Sequence, residues 1–441
     1  MHMKDKKVSV LTLGCRVNQY ESDSFTSRLK EAGVTIVPFG EAADLAVVNT
    51  CTVTAESDRK SRQMIRRAAQ NAGMVLVAGC FSQIDPESAA SMEKVVYVCG
   101  NNAKSSLADT ILSLLDGSYT GKVNAVAPPC EHSAVEMTVP HPMRTRSYIK
   151  IEDGCENRCS YCIISTARGP VRSKDPALVL DEIRTLAAQG CREIILTGIE
   201  TAAYGMDFDN RRPYGHALAD LITQAAAVEG IERIGLGSLD PTVMSEYFCD
   251  TVKKVPALLP HFHLSIQSGS SRILAKMRRK YNRDMALAAA ARMRKAIPEA
   301  TFSADIIVGF PGETEDDFAD TLDFCRQVQF LHLHIFPYSK RTGTEAALMP
   351  DQIPEPVKKQ RLATLEAEGR RIRKNLLMRY VEDHRETPVY LLVEKCIDGL
   401  SSGHSEHFAE IKKVPYRAEI GQVIPVRLTE TDGDICIGVI G

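Results

Sequence analysis

Residues 148–162 read YIKIEDGCENRCSYC, a short apolar run followed by three closely spaced cysteines. The alternation of apolar and polar residues at the start predicts a β-strand that ends at the glycine. Gaps of three and two residues separate Cys155, Cys159 and Cys162, so one tight loop can aim three thiols at one point. Zinc ribbons usually take four ligands from two paired knuckles, and no second knuckle lies nearby. Three cysteines instead suit an iron–sulfur cube that leaves one iron without a protein ligand, and a structural loop with incidental cysteines is the alternative.

The strand before these cysteines begins a regular alternation of strands and helices. Six apolar runs between residues 148 and 338 are separated by helical segments such as PALVLDEIRTLAAQG. Six such repeats predict a partial (β/α)6 barrel over residues 147–375 of an α/β protein. In such barrels the loops that follow the strands gather at one end and form the active site. Functional residues of this segment are therefore expected at strand ends.

Residues 1–120 contain a second alternation of strands and helices, which predicts a doubly wound parallel sheet. The runs KKVSVLTLGC, DLAVVNTC and MVLVAGC each end at a cysteine: Cys15, Cys51 and Cys80. Since parallel strands place their carboxyl ends at one edge, these thiols are predicted to converge in a second three-cysteine site. Cys99 follows another strand and is the competing ligand. Buried apolar cysteines without a ligand are the alternative.

The rest of the chain divides into a connection and a small β domain. Residues 121–146 contain four prolines and no steady period, which predicts a linker. Short strands with polar turns in residues 376–441 predict a small antiparallel β-barrel. The other cysteines are expected to be structural or incidental: Cys130, Cys191, Cys249, Cys325, Cys396 and Cys436.

Composition limits the function classes. With 54 Lys and Arg against 56 Asp and Glu the net charge is -2, which excludes a uniformly basic nucleic-acid coat. No apolar run is long enough for a membrane span, and the charged start MHMKDKKVSV does not fit a signal peptide. We therefore expect a cytoplasmic protein without membrane contact. Its 13 cysteines, an odd number, indicate metal or redox chemistry rather than a disulfide scaffold.

The three-cysteine loop, with Tyr161 before its last cysteine, resembles that of the radical S-adenosylmethionine enzymes. Over essentially the whole chain the sequence is similar to the methylthiotransferases of that group, in phrases such as TLGCRVNQYES, VNTCTV, LGSLDP, HFHLSIQSGS, DIIVGFPGETEDDF and IFPYSKRTGTEAA. The phrase LGCRVNQYES is most similar to the MtaB-type branch, which modifies C2 of N6-threonylcarbamoyladenosine at tRNA position 37. The C-terminal barrel resembles the RNA-binding TRAM module.

This resemblance implies a set of cofactors and partners. It implies two 4Fe-4S clusters, and S-adenosylmethionine used both as methyl donor and as radical source. The implied cluster ligands are Cys15, Cys51 and Cys80 for one cluster and Cys155, Cys159 and Cys162 for the other. The implied cofactor pocket contains Tyr161, Glu200, Gly309, Gly312 and Glu313. The implied partners are the tRNA anticodon stem-loop and an electron donor of the flavodoxin or ferredoxin type, whereas the sulfur donor is unassigned and no acid–base residue is nominated.

Two positions depart from the family pattern. Ser165 stands where family members often have proline, and Glu200 stands where they often have asparagine or histidine. Three alternatives stay open: methylthiolation of isopentenyladenosine in tRNA, methylthiolation of a ribosomal-protein aspartate, and a non-catalytic iron–sulfur RNA-binding protein.

Local charge offers three candidate RNA surfaces. Residues 59–67 and 272–283 contain five and six basic residues and no acid, and residues 357–379 contain eight basic residues against two Glu. Such stripes either neutralise phosphates or form solvated helix faces. The C-terminal barrel is acidic by this measure, and there Phe408 or Tyr416 are candidates for stacking on bases.

Overall fold

The structure is a computed structural model that describes residues 3–121, 123–129, 137–210 and 212–441. Cys130 and the centre of the predicted linker lie outside the described residues.

The first part of the chain forms a parallel sheet. Its strands are β1 (Lys7–Thr12), β2 (Thr35–Val37), β3 (Ala43–Thr50), β4 (Ala72–Gly79) and β5 (Val95–Val98). They lie in the order β2-β1-β3-β4-β5, so the strand order reverses between β1 and β3. In open sheets of this kind ligands bind beyond the carboxyl ends of the strands at that reversal.

Helices cover both faces of this sheet, which confirms the doubly wound prediction. They are α1 (Arg16–Glu31), α2 (Ala55–Asn71), α3 (Cys80–Ile84), α4 (Pro86–Ala90) and α5 (Leu107–Asp116). Phe25 of α1 and Ile111 of α5 are buried in the core on one face, and Ile65 of α2 and Ala89 of α4 are buried on the other.

The central part forms a six-stranded partial barrel, as predicted, and also a separate two-stranded ribbon that was not predicted. Its strands are β6 (Ser147–Lys150), β7 (Glu152–Asp153), β8 (Arg172–Ser173), β9 (Glu193–Thr197), β10 (Arg233–Leu236), β11 (His261–Gln267), β12 (Thr301–Val308) and β13 (His332–Pro337). Parallel strands pair in the orders β10-β9-β6 and β11-β12-β13, and a bridge between Leu239 and Leu264 links the two halves. The ribbon is β7 with β8.

The helices of this part are α6 (Ile164–Arg168), α7 (Pro176–Ala187), α8 (His216–Ala226), α9 (Glu246–Val252), α10 (Ser271–Lys276), α11 (Arg283–Ala296) and α12 (Glu315–Val328). The partial barrel has two edges, β6 and β13. Helix α1 of the first sheet packs against β6. The first sheet therefore lies against the open side of the barrel.

The chain ends in a closed five-stranded barrel. A long helix, α13 (Glu355–Asp383), precedes its strands β14 (Val389–Ile397), β15 (Leu400–His404), β16 (Glu410–Val414), β17 (Val423–Thr431) and β18 (Cys436–Ile440). The strands pair antiparallel as predicted, except that β16 and β18 pair in parallel. Parallel neighbours cannot be joined by a tight hairpin, and here the chain forms β17 between β16 and β18.

Helix α13 runs across the boundary that we predicted at residues 375–376. Leu365 and Ile372 pack in the core of the central barrel, whereas Leu377 and Val381 pack in the core of the C-terminal barrel. One helix therefore belongs to both cores. Within the described parts of the chain, no helix is long and apolar enough to cross a membrane.

Candidate active site

Cys15, Cys51 and Cys80 follow β1, β3 and β4, which are neighbours in the sheet. The turn before Cys15 is built for close approach: Gly14 has φ +97°, and a Cβ there would lie 3.0 Å from the Cys51 Sγ. Burial raises the pKa of the Cys51 thiol, and the neighbouring Cys80 and Cys15 raise it further. The three cysteines thus lie at neighbouring strand ends, and the Gly14 turn brings the first close to the second; their joint binding of a cluster stays a prediction.

Amide side chains hold the loops that carry this first trio. Asn18 Nδ2 donates hydrogen bonds to the Leu13 carbonyl at 2.8 Å and the Thr50 carbonyl at 2.9 Å, joining the ends of β1 and β3. The thiols also sit at helix starts, since Cys15 is the N-cap of α1 and Cys80 is the first residue of α3.

Cys155, Cys159 and Cys162 lie in one loop between β7 and α6. Gly154 starts it with φ +96°, and a Cβ there would lie 1.8 Å from the Pro170 carbonyl oxygen, so only glycine fits. The Cys162 amide donates to the Cys159 carbonyl at 3.1 Å, which folds the loop back on itself. Burial raises the pKa of the Cys162 thiol to about 11.

Both trios lie at the interface between the N-terminal part of the chain and the central barrel. Helix α3, which starts at Cys80, packs against α6, which follows Cys162. Asn101 bridges them: its Nδ2 donates to the Ala167 carbonyl at 2.8 Å and lies 3.7 Å from the Cys80 Sγ. The loops that carry the two trios are therefore neighbours across the interface.

The interior of the partial barrel is a cavity of about 500 Å³. It begins at Gly14, Cys15 and Gly198 near the carboxyl ends of the strands and extends to Phe408 at their other end. Its wall includes inward-facing side chains of β9, β11, β12 and β13: Glu193, Thr197, His261, His263, Ser303, Asp305, His332 and His334. This volume is in the range of small-molecule sites, and several polar side chains line the cavity beside apolar ones.

A network of charged side chains borders the second trio. Arg279 Nη1 lies 3.3 Å from the Cys159 Sγ, and its Nη2 donates to Asp240 Oδ2 at 2.8 Å. Glu200 accepts hydrogen bonds from Tyr214 Oη at 3.0 Å and from the Asp240 amide at 3.3 Å. Burial, with a contribution from Asp240, raises the pKa of Glu200 to about 7. Sequence reasoning named Glu200 but missed Arg279 and Tyr214.

Tyr161 joins the cysteine loop to the turn after β12. Its ring meets Phe310 edge-on with centroids 6.4 Å apart. In that turn Gly309 and Gly312 have φ +71° and +74°. Glu313 accepts a hydrogen bond from the Gly309 amide at 2.7 Å and pairs with Arg361 of α13 at 2.7 Å. The described contacts of Glu313 thus stabilise the turn, and its contact with a cofactor stays a prediction.

Cys99 does not join the first trio. It is fully buried in the apolar core between the sheet and α5. Burial raises its thiol pKa to about 12, and no other cysteine contributes to that shift. It therefore matches the alternative of a buried core cysteine.

Each trio offers three thiols, which are the protein donors that hold iron–sulfur clusters. The donor type of both trios therefore fits a cluster of this kind. Within residues 3–121, 123–129, 137–210 and 212–441, no three His, Cys, Asp or Glu side chains form a site for a single metal ion.

Buried ion pairs join the first sheet to the barrel beside the trios. Glu21 of α1 accepts from Lys150 and Arg168, each at 3.0 Å, and also pairs with Lys104. Arg168 also pairs with Asp153 at 2.8 Å. Although burial opposes it, these cations hold the pKa of Glu21 well below its usual range.

The three basic stripes differ in how many of their side chains have partners within the protein. In residues 272–283, Arg272, Arg278 and Arg283 pair with carboxylates and Arg279 is buried beside Cys159. Along 357–379 most basic side chains also have partners within the protein. On α2, no described carboxylate pairs with Lys60, Arg62, Arg66 or Arg67, and Arg59 pairs with Glu56.

The aromatic candidates of the C-terminal barrel also differ. Phe408 stacks between His261 and His404, with centroids 4.8 Å apart in each pair, and lines the far end of the cavity. Its ring therefore already stacks on side chains of the protein itself. Tyr416 is 41% exposed.

Comparison with known proteins identifies the family. Residues 149–325 match the Radical SAM superfamily, and residues 7–100 match Uncharacterized protein family UPF0004. The chain is 36% identical over 428 residues to the threonylcarbamoyladenosine tRNA methylthiotransferase MtaB of Bacillus subtilis (strain 168), covering 96% of this chain and 93% of that protein. It is 35% identical over 427 residues to MtaB of Thermotoga maritima, covering 96% and 94%.

The chain belongs to the radical S-adenosylmethionine methylthiotransferase family. Another relative is the tRNA-2-methylthio-N(6)-dimethylallyladenosine synthase of Acidothermus cellulolyticus, 31% identical over 443 residues, with 98% of this chain and 85% of that protein covered. As a radical S-adenosylmethionine enzyme, this methylthiotransferase uses a 4Fe-4S cluster and S-adenosylmethionine.

Solved structures support the fold of this methylthiotransferase. TsrM from Kitasatospora setae, a radical S-adenosylmethionine methyltransferase, has a TM-score of 0.55 at 16% identity and covers 75% of each chain. OxsB, a cobalamin-dependent S-adenosylmethionine radical enzyme, has a TM-score of 0.52 at 11% identity and covers 88% of this chain and 63% of its own. At these identities the likeness concerns the fold alone.

The ion pairs beside the trios can be tested by Glu21→Gln, which keeps the shape of the side chain and removes its charge. The change leaves Lys104, Lys150 and Arg168 without their shared carboxylate in a buried site. We expect a loss of about 3 to 5 kcal/mol in the free energy of unfolding, measured by denaturant titration. The exposed Glu56→Gln variant is the control and should lose less than about 1 kcal/mol. Equal losses in the two variants would contradict the role given to Glu21.

Proposed function

We propose that this chain transfers a methylthio group to C2 of N6-threonylcarbamoyladenosine at position 37 of tRNA. The observation that carries the proposal is the packing of α3 against α6, which makes the two cysteine trios neighbours, with Cys15 of the first trio lining the barrel cavity. The similarity to MtaB proteins over 96% of the chain supports the choice of nucleoside. The relative that acts on dimethylallyladenosine is somewhat less similar, at 31% identity.

Each trio supplies three thiolates to one cluster in this proposal. Cys155, Cys159 and Cys162 hold the cluster that binds S-adenosylmethionine, and Cys15, Cys51 and Cys80 hold a second 4Fe-4S cluster. Three protein ligands leave one iron of a cube free for another group. With its clusters and S-adenosylmethionine bound, the site would have an electron source, a radical precursor and a methyl donor.

The chain's own groups position the reactants. Glu200, held by Tyr214 and the Asp240 amide, is the proposed polar contact for the cofactor bound at the second trio. Tyr161 packs behind the cysteine loop. Gly309, Gly312 and Glu313 shape the turn that supports that packing. At the far end of the cavity, Phe408 lines the wall and stacks between His261 and His404.

We propose four functional segments with the boundaries given by the sequence. Residues 1–120 carry the second cluster, residues 121–146 link it to the barrel, residues 147–375 bind S-adenosylmethionine, and residues 376–441 assist in RNA binding. A flavodoxin or ferredoxin type protein supplies electrons. The sulfur donor is unassigned.

The cluster assignment predicts how two cysteine variants differ. After anaerobic reconstitution the full chain should bind about eight irons, and Cys51→Ala and Cys159→Ala about four each. Cys51→Ala should still release 5'-deoxyadenosine from S-adenosylmethionine but form no methylthio product, because only the second cluster is lost. Cys159→Ala should lose the release as well. Iron analysis, chromatography and mass spectrometry of tRNA nucleosides measure these outcomes.

The matched control is Cys396→Ala, which changes a cysteine of the C-terminal barrel outside both trios. It should keep the iron content and the methylthio product of the unaltered chain.

Formation of methylthio product by Cys51→Ala would refute the second cluster site. Iron binding without any release of 5'-deoxyadenosine by the unaltered chain would favour a non-catalytic iron–sulfur protein. Product on dimethylallyladenosine or on a ribosomal protein, with none on threonylcarbamoyladenosine, would redirect the proposed substrate.

The free basic face of α2 is the proposed contact for anticodon-stem phosphates. Lys60→Gln and Arg66→Gln should each weaken binding of an anticodon stem-loop RNA and lower the slope of log affinity against log salt by about 1. Fluorescence anisotropy over a salt series measures both. Arg184→Gln, an exposed change on α7, is the control. An unchanged slope in both α2 variants would exclude this face.

A further inference from the structure

Arg16 places a positive charge in the wall of the barrel cavity. It is the first residue of α1, directly after Cys15, and its side chain lines the cavity. Its guanidinium carbon lies 5.8 Å from the centroid of the Tyr148 ring on β6. Among the described residues it makes no hydrogen bond and no ion pair. Five guanidinium donors therefore have no acceptor on the described part of the chain.

The other full charges on the cavity wall have partners. Glu193 lies 2.7 Å from Arg146 Nε and 2.6 Å from Arg233 Nε. Asp305 lies 3.3 Å from His263 Nε2. Arg16 therefore gives this part of the wall a positive charge without a described counter-charge. An anionic ligand in the cavity would supply the counter-charge and the hydrogen-bond acceptors that this guanidinium lacks.

We propose that Arg16 binds the free carboxylate of the threonylcarbamoyl group and so selects this adenosine. The inference rests on the proposed function, and it names the group that the site recognises. The threonylcarbamoyl substituent ends in a carboxylate, the planar partner that a guanidinium binds with two parallel hydrogen bonds. A dimethylallyl substituent has no charge and would leave the Arg16 guanidinium in the cavity wall without a counter-charge, which disfavours it.

Position favours the base substituent over other anions. Arg16 follows Cys15, so a carboxylate held there keeps the attached adenine close to the first trio. The cavity, at about 500 Å³, admits a base and its substituent, whereas backbone phosphates stay outside with the flipped nucleotide's sugar. The carboxylate of S-adenosylmethionine has the same chemistry, and the experiment below separates the two sources.

The test is equilibrium binding of anticodon stem-loop RNA to the full chain without S-adenosylmethionine. One RNA carries threonylcarbamoyladenosine, and a matched RNA carries the same group with its carboxylate converted to a carboxamide. We expect the unaltered chain to bind the carboxylate RNA about 10- to 100-fold more tightly. Arg16→Gln should reduce this ratio to about 1 and leave affinity for the carboxamide RNA within about twofold. Arg16→Lys, which keeps the charge but not the planar fork, should give an intermediate ratio.

Controls separate the possible failures. Arg184→Gln should keep the full ratio. An unaltered chain with equal affinity for both RNAs, or an Arg16→Gln variant that keeps the preference, would overturn the inference even if the chain forms methylthio product. An Arg16→Gln variant that loses affinity for S-adenosylmethionine instead would assign Arg16 to that cofactor and also overturn it. Absence of product on the carboxylate RNA from the unaltered reconstituted chain would be a failure of the proposed function itself.

Discussion

The buried ion pairs between Glu21, Arg168 and Asp153 set the relation between the two halves of the site. Glu21 lies on α1, which packs on the first sheet, whereas Arg168 and Asp153 lie on α6 and β7 of the central part. Buried charges are stable only when their partners are in reach, so a rotation of one sheet against the other would leave them unpaired. Arg168 is the last residue of α6, which packs against α3. We infer that these charges specify the orientation in which the two cysteine trios become neighbours.

Strand ends were the most informative feature of the sequence. The positions of Cys15, Cys51 and Cys80 after apolar runs predicted their convergence, because parallel strands end at one edge. The short gaps between Cys155, Cys159 and Cys162 predicted that one loop carries all three cysteines. Both signals are local and follow from element geometry, and the structure has both groupings.

Contacts between residues that lie far apart in the sequence were not predicted. Arg279 looked like one of six cations in a stripe, yet it is buried between Cys159 and Asp240. Phe408 looked like a surface aromatic, yet it stacks on His261 of the central barrel. Helix α13 serves two cores, and β16 pairs in parallel with β18. No local pattern distinguishes such contacts, because the partner of each residue is set by tertiary packing.

The central claim is that two clusters face one cavity between the sheet and the barrel. The most direct test is a crystal structure of the anaerobically reconstituted full chain, with anomalous diffraction recorded at the iron edge. The account predicts two separate groups of iron, one within bonding distance of Cys15, Cys51 and Cys80 and the other of Cys155, Cys159 and Cys162, both bordering the cavity. A single group of iron, or a second group that opens away from the cavity, would contradict it.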